Sequence, residues 1–351
     1  MSLKALVATG TKVWSDSIDP DVIKTARSKG ISGATSNPII IAGIIEKGGF
    51  DERISQLIDK GLDDSAIAWE LDDELVSDAQ RVFSEDWART GGDDGYVSFE
   101  LDPLLEDAAK PVPHEQRVKR YIELGKKWGT DRKNRMIKVP ATAAGLDALE
   151  TLAATGITIN VTLCFTERQY KIARDAIWRG AQRRKDGLNG FKSVYSIFIS
   201  RVDVYTAKQV PELSKDAQGK VGLVNAKLLW KMNQEFWKDK NLRLKQETIF
   251  ASTGKKLPWQ GEDYYVSALA GSDIQTNPPE TNDFIEKSDK AFTRTVDQLP
   301  PKAILDEIAQ KVDQKKLEDV LMSEGTKKFA DPQKALEQQI GARRRELAAA
   351  K

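Results

Sequence analysis

Ile157-Thr158-Ile159-Asn160-Val161-Thr162-Leu163-Cys164-Phe165 alternates apolar and polar side chains along its length. On a strand successive side chains point to opposite faces. Ile157, Ile159, Val161, Leu163 and Phe165 therefore share one face, and Thr158, Asn160, Thr162 and Cys164 the other. Helical periodicity lies on either side. In Ala143 to Ala154, Leu146, Leu149, Leu152 and Ala153 recur at three- and four-residue steps, with Gly156 as a stop. In Glu167 to Gln182, Ala173, Ala176, Ile177, Gly180 and Ala181 form one stripe. A strand between two amphipathic helices is the repeating unit of a parallel α/β fold.

Working outward, similar β-type runs occur at Thr11 to Ser17, Gly33 to Pro38, Gly95 to Leu101, Arg135 to Ala141, Ser193 to Tyr205, Glu247 to Ser252 and Tyr264 to Ala270. With the first run this makes eight strands separated by helices, which predicts a closed (β/α)8 TIM barrel. Residues 1–300 are expected to form the barrel, with a helical insertion at about 39–94. Gly91-Gly92-Asp93-Asp94-Gly95 reads as a flexible approach to the third strand, and Asp72-Asp73-Glu74 as a solvated helix start. Residues 301–351 are expected to form a C-terminal helical extension packed on the barrel. Asp331-Pro332 opens its last helix, and Arg343-Arg344-Arg345 is that helix's wet face.

Composition restricts the chemistry. The 351 residues contain 54 Lys and Arg against 53 Asp and Glu, so no net field draws in nucleic acid or an anionic membrane. The longest apolar runs, such as Pro38 to Ile45, fall far short of the roughly 20 residues of a membrane helix. A cytoplasmic protein is expected. One cysteine, Cys164, excludes an internal disulfide, and one histidine, His114, leaves a His/Cys zinc site almost nothing to use. His114 follows Lys110-Pro111-Val112-Pro113 and reads as a surface residue opening a helix. The cluster Arg179, Arg183, Arg184, Lys185 reads as a solvated helix end. Chemistry must then come from Lys, Asp, Glu, Arg, Ser or Thr.

In a barrel the outward strand faces are apolar, and the inward faces carry the site at their C-terminal ends. Val97, Phe99 and Leu101 oppose Ser98 and Glu100; Ile249 and Ala251 oppose Thr248 and Ser252. Ile137 and Val139 turn Lys138 inward. Asp16, Glu100, Lys138, Asn160, Thr162 and Ser252 thus gather inside, and Asn37 joins them from the end of strand two. Alone, Lys138 could simply reach water, and Asp16 and Glu100 could form salt bridges. Together they are a candidate lysine nucleophile among acids and orienting donors. Arg201 and the run Ser252-Thr253-Gly254-Lys255-Lys256 are candidate phosphate ligands, although Arg201 could instead pair with Asp203 on the outer face. The run is not a P-loop, because Ile249 and Lys256 stand where Gly and Ser or Thr are required.

Gly33-Ala34-Thr35-Ser36-Asn37-Pro38, Val97-Ser98-Phe99-Glu100-Leu101-Asp102-Pro103, Ile137-Lys138-Val139-Pro140-Ala141-Thr142, Ile159-Asn160-Val161-Thr162-Leu163 and Ala251-Ser252-Thr253-Gly254 resemble, in order, motifs of the transaldolase family. The resemblance runs from Asp16 to about Pro279. It implies a (β/α)8 barrel, without metal or cofactor, that transfers a dihydroxyacetone unit in the pentose phosphate pathway. The donor would be sedoheptulose 7-phosphate or fructose 6-phosphate, and the acceptor glyceraldehyde 3-phosphate or erythrose 4-phosphate. Lys138 would form the Schiff base as a neutral amine, and Asp16 would exchange the C4 hydroxyl proton. Glu100 would work through a water near Thr162. Asn37, Asn160 and Ser196 or Ser252 would hold the dihydroxyacetone hydroxyls. Phe198 would line the pocket, Arg201 would meet the phosphate, and Lys256 would match the family's lysine after Ser-Thr-Gly.

Two motifs depart from the family's pattern. Ile197 and Ser200 stand where strand six usually has Pro and Gly, and Lys255 stands where Thr usually follows Ser-Thr-Gly. Two other readings use the same residues: an aldolase that releases free dihydroxyacetone from fructose 6-phosphate, and an inactive barrel that only binds sugar phosphates or a protein partner. The expected partners are sugar phosphates, with neither nucleic acid nor membrane, and the chain would act as a monomer or homodimer.

Overall fold

The computed structural model describes residues 2–349. Helix α1 (Ser2–Ala8) leads into β1 (Lys12–Ser15), α2 (Pro20–Ala26) and β2 (Ile31–Thr35). Helices α3 (Pro38–Glu46), α4 (Asp51–Asp59) and α5 (Asp64–Arg89) precede β3 (Val97–Glu100). Then come α6 (His114–Gly129), β4 (Arg135–Pro140), α7 (Ala143–Ala154), β5 (Ile159–Cys164), α8 (Glu167–Ala181) and β6 (Ser193–Phe198). Helices α9 (Ser200–Gln209) and α10 (Val221–Trp237) separate β6 from β7 (Glu247–Ala251). The short α11 (Tyr264–Ala268) precedes β8 (Ile274–Asn277), and α12 (Pro279–Lys287), α13 (Lys302–Lys311) and α14 (Gln314–Ala349) follow it.

The strands pair in parallel and in sequence order, and β8 returns to β1, so the sheet is the closed (β/α)8 barrel that the alternation predicts. Outward side chains such as Phe99, Ile137, Val139, Ile159 and Val161 join the large core beneath the helices. Inward, Trp14, Met136, Val194, Ile249 and Ile274 fill the lower barrel. Below them Lys12 Nζ lies 2.8 Å from Asp93 Oδ2 and 2.8 Å from Glu247 Oε1, and the fully buried Lys192 pairs with the same two carboxylates. Ion pairs therefore close the N-terminal end, and the C-terminal end is left for a site. Among the described residues no helix is long and apolar enough to cross a membrane.

Several elements differ from the sequence reading. The eighth strand is Ile274–Asn277, whereas Tyr264–Ala268 is a helical turn. Polar side chains disguised the strand, because Thr276 and Asn277 are buried against partners from neighbouring elements: Thr276 Oγ1 lies 2.8 Å from Thr35 Oγ1, and Asn277 Oδ1 accepts from Thr253 Oγ1 at 2.7 Å. The sixth strand stops at Phe198, and the β-branched residues beyond it belong to α9. In β5 the register slips between Val161 and Cys164, with Leu163 at φ +54°, so Cys164 packs outward and Leu163 joins the cluster at the mouth. In β7 the faces are reversed: Ile249 is inside, and Thr248 Oγ1 bonds Asp273 outside the barrel.

The Gly91–Gly95 segment is pinned rather than loose. Asp93 receives the two lysines, and Asp94 Oδ1 accepts from Trp14 Nε1 at 2.9 Å. Asp331-Pro332 opens no helix, since Pro332 lies inside α14. Arg345 is exposed as read, but Arg343 and Arg344 are also tied down: their Nε atoms bond Asp51 and Asp64 at 2.6 Å each, clamping α14 to α4 and α5. His114 does open a surface helix, with Nε2 2.8 Å from Asp147 Oδ2. Arg179 and Arg183 pair with Glu150, and Arg184 with Asp186.

Asp72-Asp73-Glu74 lies in the middle of α5, not at its start. Asp73 Oδ1 takes Arg135 Nη1 at 2.5 Å, and Glu74 takes Arg53. Asp72 is buried, its Oδ1 has no partner among the described residues, and burial pushes its pKa up to about 8, with Arg135 opposing. Unfolded, this carboxyl ionises near its ordinary value of about 4, so across pH 4 to 8 the native state holds more protons and stability falls as pH rises. Asp72→Asn removes that dependence. Its gain in unfolding free energy over the unmodified chain should be absent near pH 4 and reach on the order of 5 kcal/mol at pH 8. Urea unfolding at the two pH values measures it, and a pH-independent difference would refute the assignment.

Candidate active site

The parallel register sets Glu100 opposite Lys138 and Lys138 opposite Asn160, so three inward side chains form one row across β3, β4 and β5. Lys138 is buried, and its Nζ donates to Glu100 Oε2 at 3.0 Å and to the Ser36 carbonyl at 3.0 Å. Ser36 is itself held by its Oγ, which donates to the Ser98 carbonyl at 2.7 Å. Burial raises the pKa of Glu100, and the neighbouring Lys138 ammonium works against it. Asp16, just past β1, is raised for the same first reason, with Lys138 and the hydroxyl of Thr35 opposing. Thr35 Oγ1 donates to Asp16 Oδ1 at 2.9 Å.

Asp16, Lys138 and Thr162 line a cavity of about 610 Å³ at the C-terminal mouth, together with Asn37, Ser196, Phe198, Arg201, Ser252 and Lys256. Thr162 Oγ1 is buried without a partner among the described residues. Asn37 Oδ1 caps α3 by accepting from Ile39 N at 3.0 Å and Ile40 N at 3.1 Å, which leaves its Nδ2 as the group available to a ligand. Ser252 reaches the cavity because its backbone is left-handed, φ +59°, and its Oγ is 2.8 Å from Ser200 Oγ. The serine that departs from the family's glycine therefore touches a cavity residue.

Asn160 and Glu100 do not line this cavity. Asn160 lies beneath, accepting from Ser196 Oγ at 2.7 Å and donating to Ser98 Oγ at 2.9 Å. Glu100 stands behind Lys138 beside a small void that it shares with Leu163 and Phe329.

Arg201 does not pair with Asp203, whose carboxylate accepts from Gly222 N and Tyr265 OH at 2.8 Å each. It lies instead with its Cζ 4.9 Å from the Phe198 ring centroid and 5.8 Å from that of Phe329. Its Nη1 is buried without a partner among the described residues. Burial lowers the Arg201 pKa, and Asp16, Glu100 and Glu324 act in the other direction. Lys256 borders the cavity, whereas Lys255 Nζ turns away to Glu262 at 3.0 Å.

Other lining residues escaped the sequence reading. Tyr205 and Lys208 follow Arg201 at helical spacing on α9, a signal hidden by reading that segment as strand. Thr35 and Thr276 come from strand ends, and Glu280 from α12. Val320, Glu324, Lys328 and Phe329 come from α14, which crosses the mouth. The floor of the site thus carries an amine and one acid, Asp16, with Glu100 behind the amine, and exposed Lys208, Lys256 and Lys328 stand near its rim. Such a site can attack a carbonyl carbon, move protons on and off the adduct, and hold an anion at the far end.

The family model described as transaldolase/fructose-6-phosphate aldolase matches residues 13–340. A transaldolase of Mycolicibacterium paratuberculosis is 32% identical, with 94% of each chain covered, and one of Mycobacterium tuberculosis 31% identical, with 93% of each covered. A transaldolase of Mycolicibacterium smegmatis is 32% identical over 80% of each chain. The buried lysine with its two acids thus sits in a chain that belongs to the transaldolase/fructose-6-phosphate aldolase family.

Proposed function

We propose that the chain transfers a dihydroxyacetone unit from sedoheptulose 7-phosphate or fructose 6-phosphate to glyceraldehyde 3-phosphate or erythrose 4-phosphate, through an imine on Lys138. The observation that carries this reading is Lys138 Nζ, buried 3.0 Å from Glu100 Oε2 on the wall of a cavity that also holds Asp16 and Arg201.

A proton passes from the Lys138 ammonium to Glu100 along their hydrogen bond, and the freed amine attacks C2 of the ketose. Glu100, raised by burial and so able to hold a proton, returns it as the carbinolamine loses water. Thr162 Oγ1, which has no other partner among the described residues, orients that water. In the iminium the C3–C4 bond breaks: Asp16 takes the C4 hydroxyl proton, and the bonding electrons move onto the nitrogen to leave an enamine and an aldose. Burial raises Asp16 and makes it a stronger base than an exposed carboxylate. Addition to the second aldose runs the same steps backwards. Asn37, Ser196 and Ser252 hold the dihydroxyacetone hydroxyls, Asn160 positions Ser196, and Phe198 lines the wall. Arg201 and Lys256 meet the phosphate, with Lys208 and Lys328 adding to the field at the rim.

Incubation with fructose 6-phosphate followed by borohydride reduction, digestion and mass spectrometry should find a dihydroxyacetone-derived adduct on Lys138. Lys138→Ala should form none and lose about 10³-fold or more in transfer rate. Absence of an adduct in folded protein that binds the sugar phosphate would overturn the imine. Product analysis with and without an aldose acceptor then separates transfer from release of free dihydroxyacetone.

Arg201→Ala should raise KM for phosphorylated ketoses by about 10- to 100-fold and leave KM for unphosphorylated ones within about twofold. Equal effects on both would remove Arg201 from the phosphate.

A further inference from the structure

We propose that Thr276 is a positioning residue for the carbon–carbon bond step: acting through Thr35, it fixes one oxygen of Asp16 so that the other exchanges the proton of the C4 hydroxyl. The inference rests on the imine chemistry proposed above.

Thr35 Oγ1 has a partner on each side, Asp16 Oδ1 at 2.9 Å and Thr276 Oγ1 at 2.8 Å. A hydroxyl has a single hydrogen to donate, and an ionised carboxylate only accepts. The hydrogen of Thr35 therefore points to Asp16, and the bond between the two threonines is donated by Thr276. Donation runs in one direction, from Thr276 to Thr35 to Asp16, and each bond polarises the next. Both threonines are buried, and both border the cavity.

Three strands build this row. Trp14 and Ile274 fill the layer below it, and two residues further along β1 and β8 the same inward face brings Asp16 and Thr276. Trp14 is opposite Thr276 and Ser15 opposite Asn277, and Asp16 N extends that ladder by donating to the Asn277 carbonyl at 2.9 Å. Strand β8 thus holds the backbone of Asp16 directly and its side chain through Thr35. Asn277 is fixed in turn by Thr253 Oγ1 and by Asn282, whose Oδ1 accepts from Asn277 Nδ2 at 3.1 Å. The polar end of β8 serves an acid at the other end of the chain.

Asp16 needs holding because a cation is near. It feels the charge of Lys138, yet Lys138 Nζ is bonded to Glu100 and the Ser36 carbonyl, and among the described residues no ion pair joins it to Asp16. An Asp16 free to turn would swing onto the ammonium, keep the amine protonated and leave C4 without a base. With Oδ1 occupied by Thr35, the C4 hydroxyl proton passes to Oδ2 as the C3–C4 electrons move into the iminium, and the aldose leaves as a carbonyl compound. Asp16 then keeps that proton as a neutral acid. When the enamine carbon attacks the carbonyl carbon of the second aldose, the proton passes from Oδ2 to the carbonyl oxygen. One proton is taken and one returned, so the carboxyl has to present the same oxygen to the cavity in both half-reactions.

The test compares the unmodified chain with Thr276→Val, which replaces the hydroxyl by a methyl group, and Thr276→Ser, which keeps it. Borohydride added within the first turnover on fructose 6-phosphate traps two adducts on Lys138 that differ in mass, the six-carbon phosphate before cleavage and the three-carbon unit after it. Thr276→Val should keep the total adduct and raise the six- to three-carbon ratio about tenfold; kcat should fall about tenfold with KM within about twofold. Thr276→Ser should stay within about twofold throughout. In the Asp16→Asn background, Thr276→Val should cause no further loss. Should Thr276→Val not fold, Thr276→Ala repeats the comparison. An unchanged ratio in the folded variant, Thr276→Ser as slow as Thr276→Val, or a further loss in the Asp16→Asn background overturns the role of Thr276. Absence of either adduct even in the unmodified chain overturns the imine reading instead, and the inference with it.

Discussion

A lysine and a glutamate buried at hydrogen-bond distance in the middle of a barrel set the terms for the rest of the molecule. An unpaired charge at that depth would be very costly, so each member of the Lys138 and Glu100 pair requires the other. The pairing is available only because β3 and β4 run parallel with Glu100 opposite Lys138; a one-residue slip would send one of them among the helices. Neighbouring polar groups serve the same row. Ser36 gives Lys138 a second acceptor, and Ser98 anchors both Ser36 and Asn160. The apolar layer of Trp14, Met136, Val194, Ile249 and Ile274 beneath it keeps these groups above the barrel floor.

Charge is distributed along the barrel axis in three tiers. The N-terminal plug of Lys12, Lys192, Asp93 and Glu247 is internally paired and reaches no ligand. The middle tier holds Lys138, Glu100 and Asp16, whose acids burial raises. The upper tier is cationic and partly uncommitted, with Arg201 Nη1 unpartnered among the described residues. A sugar phosphate matches that gradient, its carbonyl end suited to the amine and its phosphate to the rim.

Legibility followed side-chain alternation. Strands three and five are short, hydrophobic on one face and polar on the other, and in strand four Ile137 and Val139 flank Lys138, and so Glu100, Lys138, Asn160 and Thr162 could be placed inside from the pattern alone. The pattern failed where the backbone left the regular strand. At Ser252 a left-handed residue brings a side chain into the cavity from a strand whose faces were read in reverse. At Leu163 a similar residue inverts the last positions of β5. The eighth strand was missed because its polar groups are buried against partners supplied by β2 and the segment after β7, which no local window contains. Phe329 could not be found from the sequence, since its place over Lys138 depends on where α14 lies, and that is decided by pairs more than a hundred residues apart.

The position of that roof in the chain has a consequence for synthesis. Asp16, Glu100, Lys138 and Thr162 all lie on or beside β1 to β5, and Phe329 lies in α14, more than 160 residues after Thr162. Ribosomal translation runs from the N-terminus, so the amine and its acids leave the exit tunnel long before the residues that cover them. The reactive end of the enzyme is written first and its shelter later, and a nascent chain is without its roof until α14 has followed the barrel out of the tunnel.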